Sequence, residues 1–262
     1  MNNKWDNVAN DWNKAMGNGD WFQRYIIYPT LLSLFPKPKN KKIIDVGCGN
    51  GHLSRFFEKK GGKVTGIDKS KKMIESCKTY SSPINYLAFD ITKTEFYENG
   101  FDLAIFNNSL QDMKNYKSGI KNAYKLLKTG GKLLIAVKHP CFHPANELMG
   151  WNVVSADGQT FRSGQGLTDL ANLNTSYEAD YFAIDDYLNS IEHTRIWYGK
   201  KTTSYSRTVE DYVNTIIDCG FIIKKIREPK PINEGATENP CLFQLLSRIP
   251  NFIFILAEKQ GR

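Results

Sequence analysis

The chain has 262 residues, enough for one large α/β domain with an appended segment, and a core of that size needs neither disulfides nor a structural metal. Thirty-five Lys and Arg against twenty-seven Asp and Glu give a formal charge of +8, which raises nucleic acid as a partner, but the lysines are scattered. Even the denser groups at 37–42 and 59–72 read as solvated linker and helix surface, so nucleic acid is disfavoured. The five cysteines show no C-x-x-C spacing, and no apolar run reaches the length of a membrane span, which together predict a soluble, cytoplasmic protein with reduced thiols.

In chain order, Trp5, Val8, Ala9 and Trp12 fall at i, i+3, i+4 and i+7 of a helix, and a second apolar stretch runs from Trp21 to Phe35 before Pro36-Lys37-Pro38 stops it. Residues 1–38 thus form an N-terminal helical cap. Lys41 to Val46 reads as a buried strand that enters Gly47-Cys48-Gly49-Asn50-Gly51, and Leu53, Phe56 and Phe57 mark the helix behind that turn. Further strands are expected at Lys63–Asp68, Ile84–Asp90, Phe101–Asn107 and Lys132–Val137. Ile120, Ala123, Tyr124 and Leu127 mark a helix that Gly130-Gly131 should stop. Val209 to Ile217 is an amphipathic helix, followed by strands at Phe221–Ile226 and Phe252–Ala257. Alternation of strand and helix argues for a parallel sheet with helices on both faces.

The glycine-rich turn follows D-x-G-x-G-x-G, not the dinucleotide fingerprint, which would need glycine where His52 stands; a phosphate loop with its lysine is also absent. An acid before the first glycine suits a ligand whose amino group is cationic. This order resembles motif I of the class I S-adenosylmethionine-dependent methyltransferases. The resemblance places Asp45, Gly47, Cys48 and Gly49 along the methionine part of the cofactor. It continues through Asp68, an acid at the end of the second strand that accepts from both ribose hydroxyls, with Lys69 and Met73 beside it, and through Asp90 and Ile91 at the adenine. It reaches the family's motif IV at Asn107 to Asp112.

The resemblance covers about three quarters of the chain. It implies a Rossmann-like, seven-stranded, mostly parallel sheet whose last strand is antiparallel, as one domain over 1–262. Within the family it is similar to the small-molecule group that includes ubiquinone-type enzymes, through Ser206 to Tyr212, Cys219-Gly220-Phe221 and Arg227-Glu228-Pro229. The implied reaction is methyl transfer to oxygen or nitrogen of a small molecule by a monomer or homodimer. The alternatives are a tRNA or peptide N-methyltransferase and a non-catalytic cofactor-binding regulator.

Between His139 and Ser206 periodicity fails and aromatic residues abound, so 139–206 reads as a substrate lid after the fifth strand. Glu192 to Lys200 and Thr202 to Thr208 would pair within it. A base, if the reaction needs one, would come from His139, His143, Asp112 or Asp180, with His139 first because it leaves the fifth strand directly. H-x-C-x-H at 139–143 is a weak ligand pattern, so no metal is expected. The Pro140-Cys141 pair follows the fifth strand, whereas the 5-methylcytosine DNA enzymes carry theirs after the fourth, and Asn107-Asn108-Ser109-Leu110 lacks the Asn-Pro-Pro-Tyr of amino-methylating DNA enzymes.

Overall fold

A computed structural model describes residues 3–93, 96, 98–142, 150–155, 160–162, 177–184 and 186–261, with backbone only for 150–153, 155, 160–162 and 177–182. The chain opens with α1 (Lys4–Met16), then a π-helical turn (Gln23–Ile27) that runs into α2 (Tyr28–Leu34). β1 (Lys42–Val46), α3 (His52–Lys59), β2 (Lys63–Asp68), α4 (Lys71–Lys78), β3 (Asn85–Ala88), β4 (Phe101–Asn107), α5 (Tyr116–Leu126) and β5 (Leu127–Lys138) alternate as the periodicity requires. The segment after β5 contains β6 (Gly150–Ser155), β7 (Thr160–Arg162) and β8 (Tyr177–Ala183) as a small antiparallel sheet, then the hairpin β9 (Glu192–Trp197) and β10 (Lys200–Tyr205). α6 (Val209–Asp218), β11 (Phe221–Arg227), α7 (Glu234–Glu238), α8 (Pro240–Arg248) and β12 (Phe252–Lys259) complete the order.

Seven strands form the main sheet in the order β11-β12-β5-β4-β1-β2-β3. β12 alone runs antiparallel, to β5 on one side and β11 on the other. Strand order reverses at β1, which lies between β2 and β4, and open α/β sheets bind ligands in the crevice beyond such a switch point.

Successive residues of these strands point to opposite faces. Ile43, Ile105, Leu134 and Phe254 enter one core with Leu31 of α2, Phe57 of α3 and Leu245 of α8. Ile44, Phe106, Ile135 and Ile255 enter the other with Ile120 of α5 and Ile216 of α6. Because both faces are covered, the strands read in sequence as continuous apolar runs. Thr208 and Asp211 close a reciprocal capping box at the start of α6, and Ser70 accepts the Met73 N–H to start α4.

Several boundaries differ from the sequence reading. Leu127 is already extended and pairs with Phe101, so the helix ends at Leu126 and Gly130-Gly131 lies inside β5 rather than stopping α5. The hairpin is shorter than expected because Tyr198-Gly199 makes its turn, Tyr198 at φ 52° and Gly199 at φ 72°. α7 and α8 were not anticipated. Among the described residues no helix is long and apolar enough to cross a membrane.

Candidate functional site

The turn after β1 is drawn onto β2, because the N–H groups of Gly47 and Cys48 both donate to the Ile67 carbonyl, at 2.8 and 3.0 Å. Gly47 sits at φ 73°, and a Cβ there would lie 2.4 Å from Ser109 Cβ; only glycine meets both demands. His52, where the dinucleotide pattern would want glycine, is buried at the start of α3. Its Nδ1 lies 2.8 Å from the Tyr28 hydroxyl, and burial pushes its pKa down to about 3, so the ring stays neutral.

Asp45 is 2% exposed and accepts the Ser54 hydroxyl at 2.6 Å; burial pushes its pKa up to about 7. At the end of β2, Asp68 accepts the Gly49 N–H through Oδ2 at 3.0 Å and the Ser70 N–H through Oδ1 at 2.8 Å. Each of its oxygens keeps a further lone pair for a ligand hydroxyl. Burial raises this carboxyl as well, against those two bonds. Asp90 lies two residues beyond β3, with Oδ1 accepting from the Thr92 N–H and hydroxyl and Oδ2 3.8 Å from Lys93 Nζ. Asn107, the last residue of β4, donates to Gln23 Oε1 at 3.3 Å.

One cavity of about 1380 Å³ joins these groups. Asp45, Gly47, Cys48, Gly49, Asp68, Lys69, Met73, Asp90, Ile91, Asn107 and His139 all line it. Its roof is α1 and the β9–β10 hairpin, which meet through Trp12 edge-on to Trp197 at 5.4 Å, an ion pair from Lys200 to Asp11 at 2.6 Å, and a bond from Lys4 Nζ to Thr203 at 2.6 Å. α1 is in turn tied to the glycine turn, since Asn50 donates to the Gly17 carbonyl at 2.9 Å and to Asn13 at 3.2 Å.

The same cavity is lined by Asp20, Gln23, Asp112, Lys138, His139 and Arg195. Asp112 sits on a helical turn that Arg207 holds by donating to the Leu110 and Met113 carbonyls. Burial pushes its pKa up to about 7, against the nearby charges of Lys69 and Arg195. His139 is 2% exposed; its Nε2 lies 2.7 Å from Glu228 Oε1 and its Nδ1 accepts the Cys141 N–H at 3.2 Å. Burial lowers its pKa, with Glu228 opposing. With Nε2–H donating to Glu228, neither ring nitrogen has a free lone pair in this arrangement. The turn, the acids and the spare acceptors of Asp68 fit S-adenosylmethionine.

A model of a methyltransferase domain matches residues 44–135. A ubiquinone biosynthesis O-methyltransferase of Coxiella burnetii is 33% identical over 219 residues, covering 80% of this chain and 91% of the relative. The chain belongs to the class I S-adenosylmethionine-dependent methyltransferases. An uncharacterized protein of Haemophilus influenzae is 26% identical over 273 residues, covering 99% of each chain. The crystal structure of an S-adenosylmethionine-dependent methyltransferase from Mesorhizobium loti superposes with a TM-score of 0.70 at 25% identity, over 92% of this chain and 99% of that one.

In this methyltransferase the cofactor is S-adenosylmethionine, and the match to the domain model begins within β1. Sequence reasoning missed Lys138, Arg195, Asp20 and Gln23. Their only signal was position: Lys138 ends β5, two residues beyond the Ala136 that pairs with Asn107, and Arg195 lies mid-strand on the half-buried face of β9. His143 lies outside the described residues, and Asp180 is described by backbone alone. Among the described residues no group of three or more His, Cys, Asp or Glu could hold a metal ion.

Proposed function

We propose that this methyltransferase acts on an oxygen or nitrogen atom of a small molecule. The observation that carries the reading is the roof: α1 and the β9–β10 hairpin meet over the cavity through Trp12 with Trp197 and Asp11 with Lys200, which narrows the access a polymer would need. Bound S-adenosylmethionine supplies an activated methyl group, so the protein's work is alignment and exclusion of water.

In this reading the backbone at Gly47 to Gly49 and the Asp45 carboxylate lie along the methionine part, Asp68 accepts from the ribose, and Lys69 and Met73 flank it. Asp90 and Ile91 meet the adenine, and Asn107 faces the transferring end. A proton leaving the acceptor goes to Asp112, whose oxygens have no hydrogen-bond partner among the described residues and whose pKa stands near neutrality. His139 would take that role only with its ring turned away from Glu228. We read 1–38 as a cap and 139–206 as a lid on one domain, in a cytoplasmic monomer or homodimer.

The test is incubation with methyl-labelled S-adenosylmethionine and a cell extract separated into small-molecule, RNA and protein fractions. Label among small molecules is the expected outcome; label confined to RNA or protein would sink the reading.

A further inference from the structure

Lys138 ends β5 and Arg195 comes from the β9–β10 hairpin, and both residues line the cavity. The Lys138 ammonium lies 4.5 Å from the ring centroid of Phe252 and 5.0 Å from that of Phe22. Those ring faces attract a cation without neutralising it. Among the described residues no carboxylate lies within ion-pair distance of Lys138. The acid nearest in effect, Asp20, already accepts the Gln23 N–H at 2.9 Å.

The electrostatics agree with this geometry. Burial lowers the Lys138 ammonium to about 8, Asp20 opposes the shift, and the charge of Arg195 adds to it. Burial also lowers Arg195, with Asp112 offsetting. Two like charges from separate elements therefore line one cavity, and the charge of Arg195 makes that of Lys138 more costly to hold. An anion beside Lys138 would stabilise its charge, and a charge-assisted hydrogen bond is about twice as strong as a neutral one.

We propose that the methyl acceptor carries a carboxylate that seats on the Lys138 ammonium, with its apolar body against Phe22, Phe252 and Tyr198. This rests on the small-molecule reading above and narrows it to acidic acceptors. The carboxylate is a handle, and the atom methylated is elsewhere on the same molecule.

The test is a calorimetric titration of the complex with S-adenosylhomocysteine, using benzoate, phenylacetate and hexanoate as probes and their uncharged amides as controls. At least one acid should bind about tenfold or more tightly than its amide, the size of one charge-assisted contact. Lys138→Met should erase that preference while S-adenosylhomocysteine still binds as in the parent, and Lys138→Arg should restore part of it. Amides binding as well as acids, no acid binding, or a preference indifferent to Lys138→Met would overturn the proposal. Methyl label found only in RNA or protein would instead overturn the small-molecule reading. Label in small molecules without a carboxylate preference would overturn this proposal alone.

Discussion

Replacing Gly47 by alanine tests the geometry of the cofactor turn most directly. At φ 73° an L-residue pays about 1–2 kcal/mol for the left-handed conformation. The new methyl would also lie 2.4 Å from Ser109 Cβ and 2.9 Å from Ser109 Oγ, more than an ångström inside carbon–carbon contact distance, and overpacking of that kind costs about 1–3 kcal/mol. Ser109 has little room to retreat, because its hydroxyl donates to the Val46 carbonyl at 2.6 Å. Gly47→Ala should therefore lose about 2–5 kcal/mol, read as a lower urea midpoint with unchanged slope. Ser109→Gly removes the obstructing carbon and should itself cost about 1 kcal/mol for the lost hydrogen bond. In the double variant the overlap vanishes and the backbone cost remains, so the cycle should show about 1–3 kcal/mol of favourable coupling. Strictly additive effects would refute the steric argument, and a Gly47→Ala protein as stable as the parent would refute both parts.

Asp68→Ala should weaken S-adenosylhomocysteine binding by about 1–3 kcal/mol, through unpaired ribose hydroxyls and freed N–H groups at Gly49 and Ser70; unchanged affinity by calorimetry would exclude the ribose role. Asp45 holds its proton up to about pH 7 when folded but ionises near pH 4 when unfolded, so its contribution to stability falls as pH rises across that window and levels off above it. The slope is at most about 1.4 kcal/mol per pH unit, and Asp45→Asn should flatten it in thermal melts recorded from pH 4 to 8. Asp112→Asn should cut kcat by about 10²–10⁴ and abolish a rise in rate near pH 7, whereas His139→Gln should keep that rise; the reverse pattern would return the base role to His139. Lys200→Ala should change the unfolding free energy by less than about 1 kcal/mol, since both partners of its ion pair are more than 40% exposed, yet raise KM for the acceptor by loosening the roof.

The parallel strands were legible because burial on both faces leaves continuous apolar runs, and Asp68 and Asn107 were legible because they close such runs. The end of α5 was misjudged for a local reason: the chain leaves the helix to pair Leu127 with Phe101, and that pairing depends on a residue 26 positions away. α8 did carry a signal, with Asn239 as cap, Pro240 in the first turn and Leu242, Leu245 and Leu246 on one face. Lys138 and Arg195 could not be found that way. A charged residue at a strand end or on a hairpin looks solvated until the tertiary fold closes around it.

The hydrogen bonds from Asn50 to the end of α1 have a consequence for how cofactor and acceptor bind. Asn50 belongs to the turn that meets the cofactor, and α1 belongs to the roof over the acceptor, so one side chain is shared by the two binding steps. Any free energy by which cofactor settles that turn is felt in the roof, and by thermodynamic reciprocity the acceptor must return the same factor to the cofactor. The two ligands are then cooperative partners, each binding more tightly when the other is in place. Asn50→Ala would uncouple them, visible as acceptor affinity that no longer responds to S-adenosylhomocysteine.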